Sequence, residues 1–263
     1  MIYYIFEFLE NNYNLPGASV FKYISFRSAL AIMTSLLVSL VFGGKIIRFI
    51  KKMQIGEDVR KLGLDGEENK KGTPTMGGLI ILSAILIPTI LFARLDNIYI
   101  LIMIFSTVWL GIIGFVDDYI KVFKKDKAGL AGKFKILGQV GIGLIVALVM
   151  VFNNQIVVKE KLVSSNGQQN YEFIEVAQKS SKTTIPFLKN NEFDYQKLTS
   201  WMGDGMSKYA WILFVLVVVL VITAVSNGAN MTDGLDGLAT GVSAIIGITL
   251  AVDRKSTRLN SSH

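Results

Sequence analysis

The sequence predicts an all-α protein that crosses a membrane several times. Three observations support this fold class: 51% of the 263 residues are hydrophobic, the mean hydropathy is +0.48, and the apolar residues are concentrated in blocks. A block of about 20 apolar residues spans the ~30 Å hydrocarbon core of a bilayer as one helix. Because several blocks approach that length, we expect about six transmembrane helices rather than a soluble core.

The order of the apolar blocks divides the chain into four predicted regions. Residues 1–152 hold four spans with cytoplasmic loops, 153–208 a polar extracytoplasmic insertion with some β structure, 209–252 two further spans, and 253–263 a tail. The stretch Tyr3–Leu9 is too short to span, so we expect it to lie at the membrane interface. The predicted spans are Ser28–Ile47, Met76–Ala93, Ile98–Val116, Ile136–Phe152, Ala210–Val225 and Leu238–Val252.

Lysine and arginine positions predict the orientation, because short loops that stay in the cytoplasm retain positive charge. The loops after the first and third predicted spans are rich in lysine, whereas the loop after the second holds Arg94 as its cation. We therefore expect the N-terminus outside and the lysine-rich loops inside. The net charge of +7 then belongs to these loops. We expect no nucleic-acid binding, because the basic residues lie between apolar runs and do not form one solvent-exposed surface with the aromatic residues.

Two adjacent carboxylates, Asp117 and Asp118, end the third predicted span. An unpaired charge at membrane depth costs about 2.5–3.5 kcal/mol on insertion scales, and two like charges also repel each other. A cation would relieve both problems, and Mg²⁺ prefers carboxylate and phosphate oxygens. A solvated helix end would explain the same pair, so the pair alone leaves both interpretations open.

A second polar segment, residues 227–238, lies between the fifth and sixth predicted spans. Asp233 and Asp236 are three residues apart, so on a helical turn they would share one face; Asn227 and Asn230 repeat that spacing. The intervening glycines allow a ligand to approach the backbone closely. An ordinary Asn/Gly/Asp turn is the alternative, but the position on the same predicted membrane face as the acidic pair favours a ligand site.

Two lysine-rich segments on that face suit phosphate groups. Lys70 precedes a Thr/Pro/Gly turn whose N–H and O–H groups, with the ammonium, would contact a phosphate. The other segment is residues 121–135, where the positive-inside rule alone explains most of the lysines. Lys133 follows a glycine-containing turn and is our first candidate for a phosphate contact there, with Lys121 and Lys125 next.

Three strings of the chain resemble the phospho-N-acetylmuramoyl-pentapeptide transferase family, which belongs to the polyprenyl-phosphate sugar-1-phosphate transferases. They are the Gly-Thr-Pro-Thr-Met-Gly-Gly string at residues 72–78, the pair Asp117 and Asp118, and the Asn/Asp/Gly string at residues 230–239. The resemblance covers all six predicted spans in order. A related branch that loads N-acetylglucosamine-1-phosphate shares the acidic strings but usually differs at residues 72–78, which favours the muramoyl branch.

The resemblance implies a Mg²⁺-dependent phosphotransferase in the inner (plasma) membrane of a bacterium, with a cytoplasmic active site. Undecaprenyl phosphate would attack the β-phosphate of UDP-N-acetylmuramoyl-pentapeptide. The products would be UMP and the first lipid-linked peptidoglycan precursor. Phosphoryl transfer depends mainly on positioning and charge neutralisation, which the acids, amides and lysines would supply together with the metal ion.

The resemblance also implies roles for individual residues. Asp117 would activate the lipid phosphate, and Asp118 would shape the metal and phosphate site, so both are expected catalytic residues. The expected metal ligands are Asp117, Asp118, Asn227 and Asn230. The expected substrate-binding residues are Lys70, Thr75, Lys121, Lys125, Lys133, Asn230, Asp233 and Asp236.

The chain departs from the family pattern at its C-terminal end. The family has about ten spans, and a further metal-site carboxylate and a His-rich cytoplasmic loop have no counterpart among these 263 residues. Residues 253–263 resemble the translation of a sequencing-adapter oligonucleotide, so we expect this tail to be non-native and the natural sequence to reach only about Val252. For these reasons we expect the 263-residue chain to be inactive as a transferase.

Three other interpretations remain open from the sequence. The N-acetylglucosamine-1-phosphate branch would use a different donor. A transporter or channel would carry acids within its spans, whereas the acids here cluster at predicted cytoplasmic ends. A non-catalytic membrane fragment would fit the missing family segments. The partners expected are the two substrates and the lipid bilayer, while the oligomeric state, a homodimer included, stays open.

Overall fold

The computed structural model describes residues 1–53, 76–124, 126, 128–156, 158–164, 172–178, 182–184, 192–201, 206–232 and 237–259. These ranges hold eight helices, four short strands and two single 3-10 turns. The helices are α1 (Ile2–Tyr13), α2 (Ile24–Met53), α3 (Gly78–Phe92), α4 (Ile98–Phe123), α5 (Gly132–Phe152), α6 (Tyr195–Trp201), α7 (Ala210–Thr232) and α8 (Leu238–Leu259). The strands are β1 (Val158–Ser164), β2 (Glu172–Gln178), β3 (Lys182–Thr184) and β4 (Glu192–Asp194), and the 3-10 turns are Ala18–Lys22 and Met206–Tyr209.

The predicted all-α polytopic fold is confirmed, since each of the six predicted spans is a helix. By length and apolar composition α2, α4, α5 and α7 can cross a membrane, whereas α3 and the apolar part of α8, Leu238–Leu250, are shorter. Four helices, α2, α4, α7 and α8, continue beyond the predicted C-terminal ends of their spans, and α7 thereby takes in Asn227 and Asn230. α4 runs to Phe123 and thereby includes the acidic pair, and α8 runs to Leu259, past Val252.

The outside of the helical bundle is apolar, as a lipid-facing surface requires. Leu40 is 77% exposed, Met103 66% and Leu220 60%, and each lies within a candidate span. Soluble monomers rarely expose large contiguous apolar surfaces. Hydrocarbon around the helices would cover such exposed apolar side chains.

α5 lies between α4 and α7 and contacts both. On the α7 side, a Cβ at Gly143 would be only 3.1 Å from the Cα atom of Val219, so the glycine lets the two backbones approach closely. On the α4 side, the Trp109 indole N–H donates to the carbonyl of Gly138 at 2.9 Å. These contacts fix α5 as the element that connects the acidic end of α4 with α7.

The insertion between α5 and α7 contains β structure, as the sequence predicts. β1 pairs with β2 and β3 pairs with β4, both antiparallel. Tyr195 at the start of α6 is 1% exposed and hydrogen-bonds the Thr183 hydroxyl at 2.9 Å. Its ring also makes an edge contact with Phe214 of α7, with the ring centroids 5.7 Å apart, so the insertion is attached to the bundle.

The short helix α1 lies against the end of the bundle where α2 begins and α3 passes into α4. The N-terminal ammonium of Met1 donates to the Ile90 carbonyl at 2.8 Å, and the Tyr4 hydroxyl donates to the Asp96 carboxylate at 2.6 Å. Because α4 begins here and the acidic pair lies near its other end, these contacts mark the end of the bundle opposite to Asp117.

Candidate active site at the end of α4

Asp117 is a buried carboxylate near the C-terminal end of α4, a candidate membrane span. From Ile98 to Asp117 the helix rises roughly 28 Å at about 1.5 Å per residue, close to the ~30 Å thickness of the hydrocarbon core. The residue is only 6% exposed. A charged side chain this buried requires hydrogen-bonding or ionic partners.

Two lysines and one backbone amide supply those partners. The Lys121 ammonium lies 2.6 Å from Oδ2 of Asp117, and the Lys135 ammonium lies 2.9 Å from Oδ1. The backbone N–H of Leu130 also donates to Oδ1, at 2.8 Å. Two ammonium groups on a single carboxylate leave an excess of positive charge, so this cluster is suited to a phosphate anion.

The segment between α4 and α5 folds back over Asp117 at a glycine. Gly129 is buried and has a φ of +69°, a conformation that side chains with a Cβ rarely adopt. A Cβ there would lie 2.5 Å from Oδ1 of Asp117 and 2.6 Å from Cε of Lys121. The sequence therefore needs glycine at this position to bring the Leu130 amide onto the carboxylate.

α5 connects this cluster to α7 through a buried glutamine. Gln139 is 5% exposed and lies one helical turn after Lys135. Its amide nitrogen donates to Oγ of Ser226 at 3.1 Å, and its amide oxygen accepts from Nδ2 of Asn227 at 2.7 Å. Nδ2 of Asn227 also donates to the Thr223 carbonyl at 2.8 Å. The C-terminal part of α7 is thus held at the same end of the bundle as Asp117.

The structure brings some of the residues singled out from the sequence together and leaves others apart. Asp117 and Lys121 are in direct contact, and Asn227 is joined to them through α5. Lys133 and Asn230 are exposed, on the first turn of α5 and the last turn of α7, and Asp118 is half-buried. The predicted residues that lie outside the described part of the chain are Lys70, Thr75, Lys125, Asp233 and Asp236.

Sequence reasoning missed three residues that build this site. Lys135 lies within the predicted lysine run, but the sequence does not distinguish it from the neighbouring lysines as a candidate, although it is the lysine that joins α5 to Asp117. Gly129 was counted as part of a turn, without its close approach to the carboxylate. Gln139 offered a usable signal, because a polar side chain inside an apolar span usually faces the bundle interior and has a partner there.

Oxygen donors of the types that Mg²⁺ takes occur near the C-terminal ends of α4 and α7. Within the described residues, no three His, Cys, Asp or Glu side chains are grouped as a metal cluster. Mg²⁺ in phosphoryl-transfer sites typically takes one or two carboxylates and completes its shell with phosphate oxygens and water. Asp118 and the amide oxygens of Asn227 and Asn230 fit that requirement. The oxygens of Asp117 already accept from two ammonium groups and an amide.

Two family models match parts of this chain. The model of glycosyl transferase family 4 matches residues 99–258, more than half of the chain. The chain belongs to glycosyl transferase family 4. A second match, phospho-N-acetylmuramoyl-pentapeptide-transferase signature 1, covers residues 70–82. The resemblance predicted from the sequence is therefore confirmed, and this family 4 member is a multi-pass membrane protein.

Curated relatives of this family 4 chain carry the name phospho-N-acetylmuramoyl-pentapeptide-transferase. The relative from Flavobacterium psychrophilum is 52% identical over 257 residues, which is 96% of this chain and 63% of the relative. The relative from Parabacteroides distasonis is 57% identical over 254 residues, 96% of this chain and 60% of the relative. A relative from Porphyromonas gingivalis is 56% identical over 254 residues, with the same two shares. The chain thus spans less than two thirds of the length of these relatives.

Proposed function

We propose that this chain carries the phosphate-binding part of a phospho-N-acetylmuramoyl-pentapeptide transferase. An oxygen of undecaprenyl phosphate attacks the β-phosphorus of UDP-N-acetylmuramoyl-pentapeptide. The bond from that phosphorus to the oxygen bridging the two phosphates breaks, and UMP leaves with that oxygen. The other product is the lipid-linked sugar pentapeptide, the first membrane-bound peptidoglycan precursor. Relatives of that name at 52–57% identity support the assignment.

The observation that carries the proposal is the pair of ammonium groups on Asp117. The transferred phosphoryl group carries negative charge, and the transition state of such a transfer is stabilised mainly by positioned cations. Asp117 holds Lys121 and Lys135 in fixed positions from two helices, at 2.6 and 2.9 Å. Cations positioned in advance stabilise charge without reorganising during the reaction. The lipid phosphate is largely ionised near neutral pH, so Asp117 serves the acceptor by orienting these lysines and activating its phosphate.

The remaining predicted residues have proposed roles around this centre. Lys133 is exposed beside the Asp117 cluster, and Asn230 is exposed at the end of α7, where each can reach a substrate from solution. The proposed contacts to the nucleotide and the diphosphate come from Lys70, Thr75, Lys125, Asn230, Asp233 and Asp236. Signature 1 at residues 70–82 supports a role for the first two.

Mg²⁺ is the proposed metal ion. Asp118, Asn227 and Asn230, with Asp117 as a further carboxylate, would hold it. When bound, it would neutralise the diphosphate of the donor. Asp117 would then have to bind the metal ion with lone pairs that its lysine and amide contacts leave available, since a carboxylate offers about four.

The proposed location is the inner membrane of a bacterium, with the Asp117 end of the bundle in the cytoplasm. The lysine-rich segments at this end support that orientation through the positive-inside rule. A soluble nucleotide donor would then arrive from the cytoplasm and the lipid acceptor from the bilayer. In this orientation the N-terminus and the insertion lie outside.

A chimera tests the reaction directly. Residues 1–252 would be followed by the segment of the Flavobacterium psychrophilum relative that lies beyond its match to this chain, and the purified protein assayed in lipid for UMP release. We expect Mg²⁺-dependent release with the muramoyl-pentapeptide donor and undecaprenyl phosphate. We also expect Asp117→Asn to lower it at least about 100-fold, within the range for loss of a transition-state charge contact.

Two outcomes would contradict parts of the proposal. Turnover with UDP-N-acetylglucosamine but not with the muramoyl donor would assign the chain to the N-acetylglucosamine-1-phosphate branch. A folded chimera that turns over neither donor, beside an active relative, would exclude the transferase assignment. The 263-residue chain is expected to release no UMP, and clear turnover by it would refute that expectation alone.

A further inference from the structure

An apolar cleft of about 370 Å³ lies between α2, α3 and α4, at the end of the bundle that carries α1. Ile85, Met103 and Ile104 are among its apolar lining residues, and the first two are 49% and 66% exposed. The cleft is therefore open on the outer surface of the described helices. Its volume is within the range of roughly 300–1,000 Å³ that is usual for small-molecule sites.

Arg27 is a buried cation that lines this cleft. The residue is 7% exposed, and its guanidinium carbon lies 4.8 Å from the centroid of the Tyr3 ring. One guanidinium nitrogen donates to the Phe92 carbonyl at 3.2 Å, while Nε is buried without a hydrogen-bond partner. Among the described residues, Arg27 has no ion pair. Its neighbour Arg94, by contrast, is paired with Asp96 at 2.8 Å.

A buried charge without a compensating group costs several kcal/mol in an apolar environment. The cost falls when an anion binds, and a guanidinium binds phosphate with two parallel N–H···O bonds. Arg27 lies in the first turn of α2, one end of a candidate span, and therefore at the depth of lipid headgroups. Arg94 and Asn97 also line the cleft at that depth, whereas most of the remaining lining is apolar and extends along α4 as far as Thr107.

We propose that this cleft binds a phospholipid, with the headgroup phosphate at Arg27 and an acyl chain along the apolar walls formed by α3 and α4. A lone inorganic phosphate would leave those walls empty, and an uncharged lipid would leave Arg27 unpaired. The site is separate from the proposed acceptor site, because Asp117 lies at the opposite end of α4. The proposal does not depend on the transferase reaction.

Native mass spectrometry of the 263-residue chain in detergent tests the site. The probes are dioleoylphosphatidylglycerol, dioleoylglycerol with the same chains but no phosphate, and inorganic phosphate. We expect saturable binding of the phospholipid, binding of dioleoylglycerol at least about tenfold weaker, and no competition by millimolar phosphate. Arg27→Gln should weaken phospholipid binding at least about tenfold, the effect of losing one or two charge-assisted hydrogen bonds.

Two further variants keep the test decisive. Ile104→Trp fills the cleft without changing any charge and should also weaken binding, even if Arg27→Gln fails to fold. Lys22→Gln removes an exposed cation that pairs with Glu10 at the same end of the bundle, and it should leave binding unchanged. Equal phospholipid binding by the wild type and the folded Ile104→Trp protein would overturn the proposal. Equal affinity for dioleoylglycerol and the phospholipid would also overturn it, because the cleft would then be an unselective apolar surface.

Discussion

Lys135 and Gln139 lie one turn apart on α5 and bind side chains of two different helices. Lys135 forms an ion pair with Asp117 of α4 at 2.9 Å, and Gln139 accepts a hydrogen bond from Asn227 of α7 at 2.7 Å. One face of α5 therefore connects the acidic end of α4 with the polar end of α7. The proposed active site depends on this connection.

The contribution of Lys135 can be measured through catalysis. In the chimera described above, Lys135→Gln removes one of the two ammonium groups from Asp117. Charge-assisted hydrogen bonds are worth about 1.5–3 kcal/mol, so we expect UMP release to fall roughly 10- to 100-fold. Lys124→Gln removes an exposed cation directly after the C-terminal end of α4 and should change the rate less than about twofold. Equal losses in both variants would show that only the total positive charge matters.

The close approach of Gly129 to Asp117 predicts a large effect of one methyl group. Gly129→Ala would strain a backbone with φ of +69° and place the new carbon 2.5 Å from the carboxylate. We expect the free energy of unfolding in detergent to fall by about 1–3 kcal/mol. Gly132→Ala is the matched control, because nothing lies within 4 Å of its Cβ position, and alanine is the better helix former. A Gly129→Ala protein as stable as the control would contradict the described turn.

A double-mutant cycle measures the connection between α5 and α7. Gln139→Ala and Asn227→Ala each remove one partner of the same hydrogen bond, so their effects on unfolding free energy should not add. We expect a coupling of about 0.5–1.5 kcal/mol. The pair Gln139→Ala and Asn12→Ala should add to within about 0.5 kcal/mol, because Asn12 bonds only within α1 among the described residues. Additive effects of Gln139→Ala and Asn227→Ala would show that this hydrogen bond does not couple α5 to α7.

Much of this fold follows from the sequence, because long apolar runs that need lipid have few alternatives to helix. The sequence predicts the helices at the six span positions, four of which are long and apolar enough to cross a membrane, and the β structure of the insertion. Where α1 lies, it predicts an interfacial segment and no helix. The sequence does not predict the partners of Asp117, since Lys135 comes from another helix and its distance from Asp117 depends on how α4 and α5 pack. The sequence does not reveal the role of Gly129 for a related reason: its positive φ belongs to a loop whose path depends on how α4 and α5 pack.

The end of the bundle that carries α1 should respond to acid. Hydrogen bonds from the Arg94 guanidinium and, to a smaller extent, from the Tyr4 hydroxyl lower the pKa of the Asp96 carboxyl to about 2. A depressed pKa in the folded state stabilises the protein above the unfolded value near 4, and this contribution is lost as pH falls towards 2. We expect hydrogen exchange in α1 to increase over that window, and Asp96→Asn to remove the change. An unaltered pH profile in Asp96→Asn would exclude this pair as the cause.

The proposed active site requires the C-terminal ends of α4 and α7 to face the same side of the membrane. The chain has no cysteine, so single cysteines can be labelled in intact cells and in inverted membrane vesicles with a maleimide that cannot cross membranes. Lys124→Cys and Met231→Cys place exposed thiols beside the two polar segments, and Asn12→Cys marks the opposite end of the bundle. We expect Lys124→Cys and Met231→Cys to react only in inverted vesicles, and Asn12→Cys to react only in intact cells. Labelling of Lys124→Cys and Met231→Cys from opposite sides would contradict a shared active site.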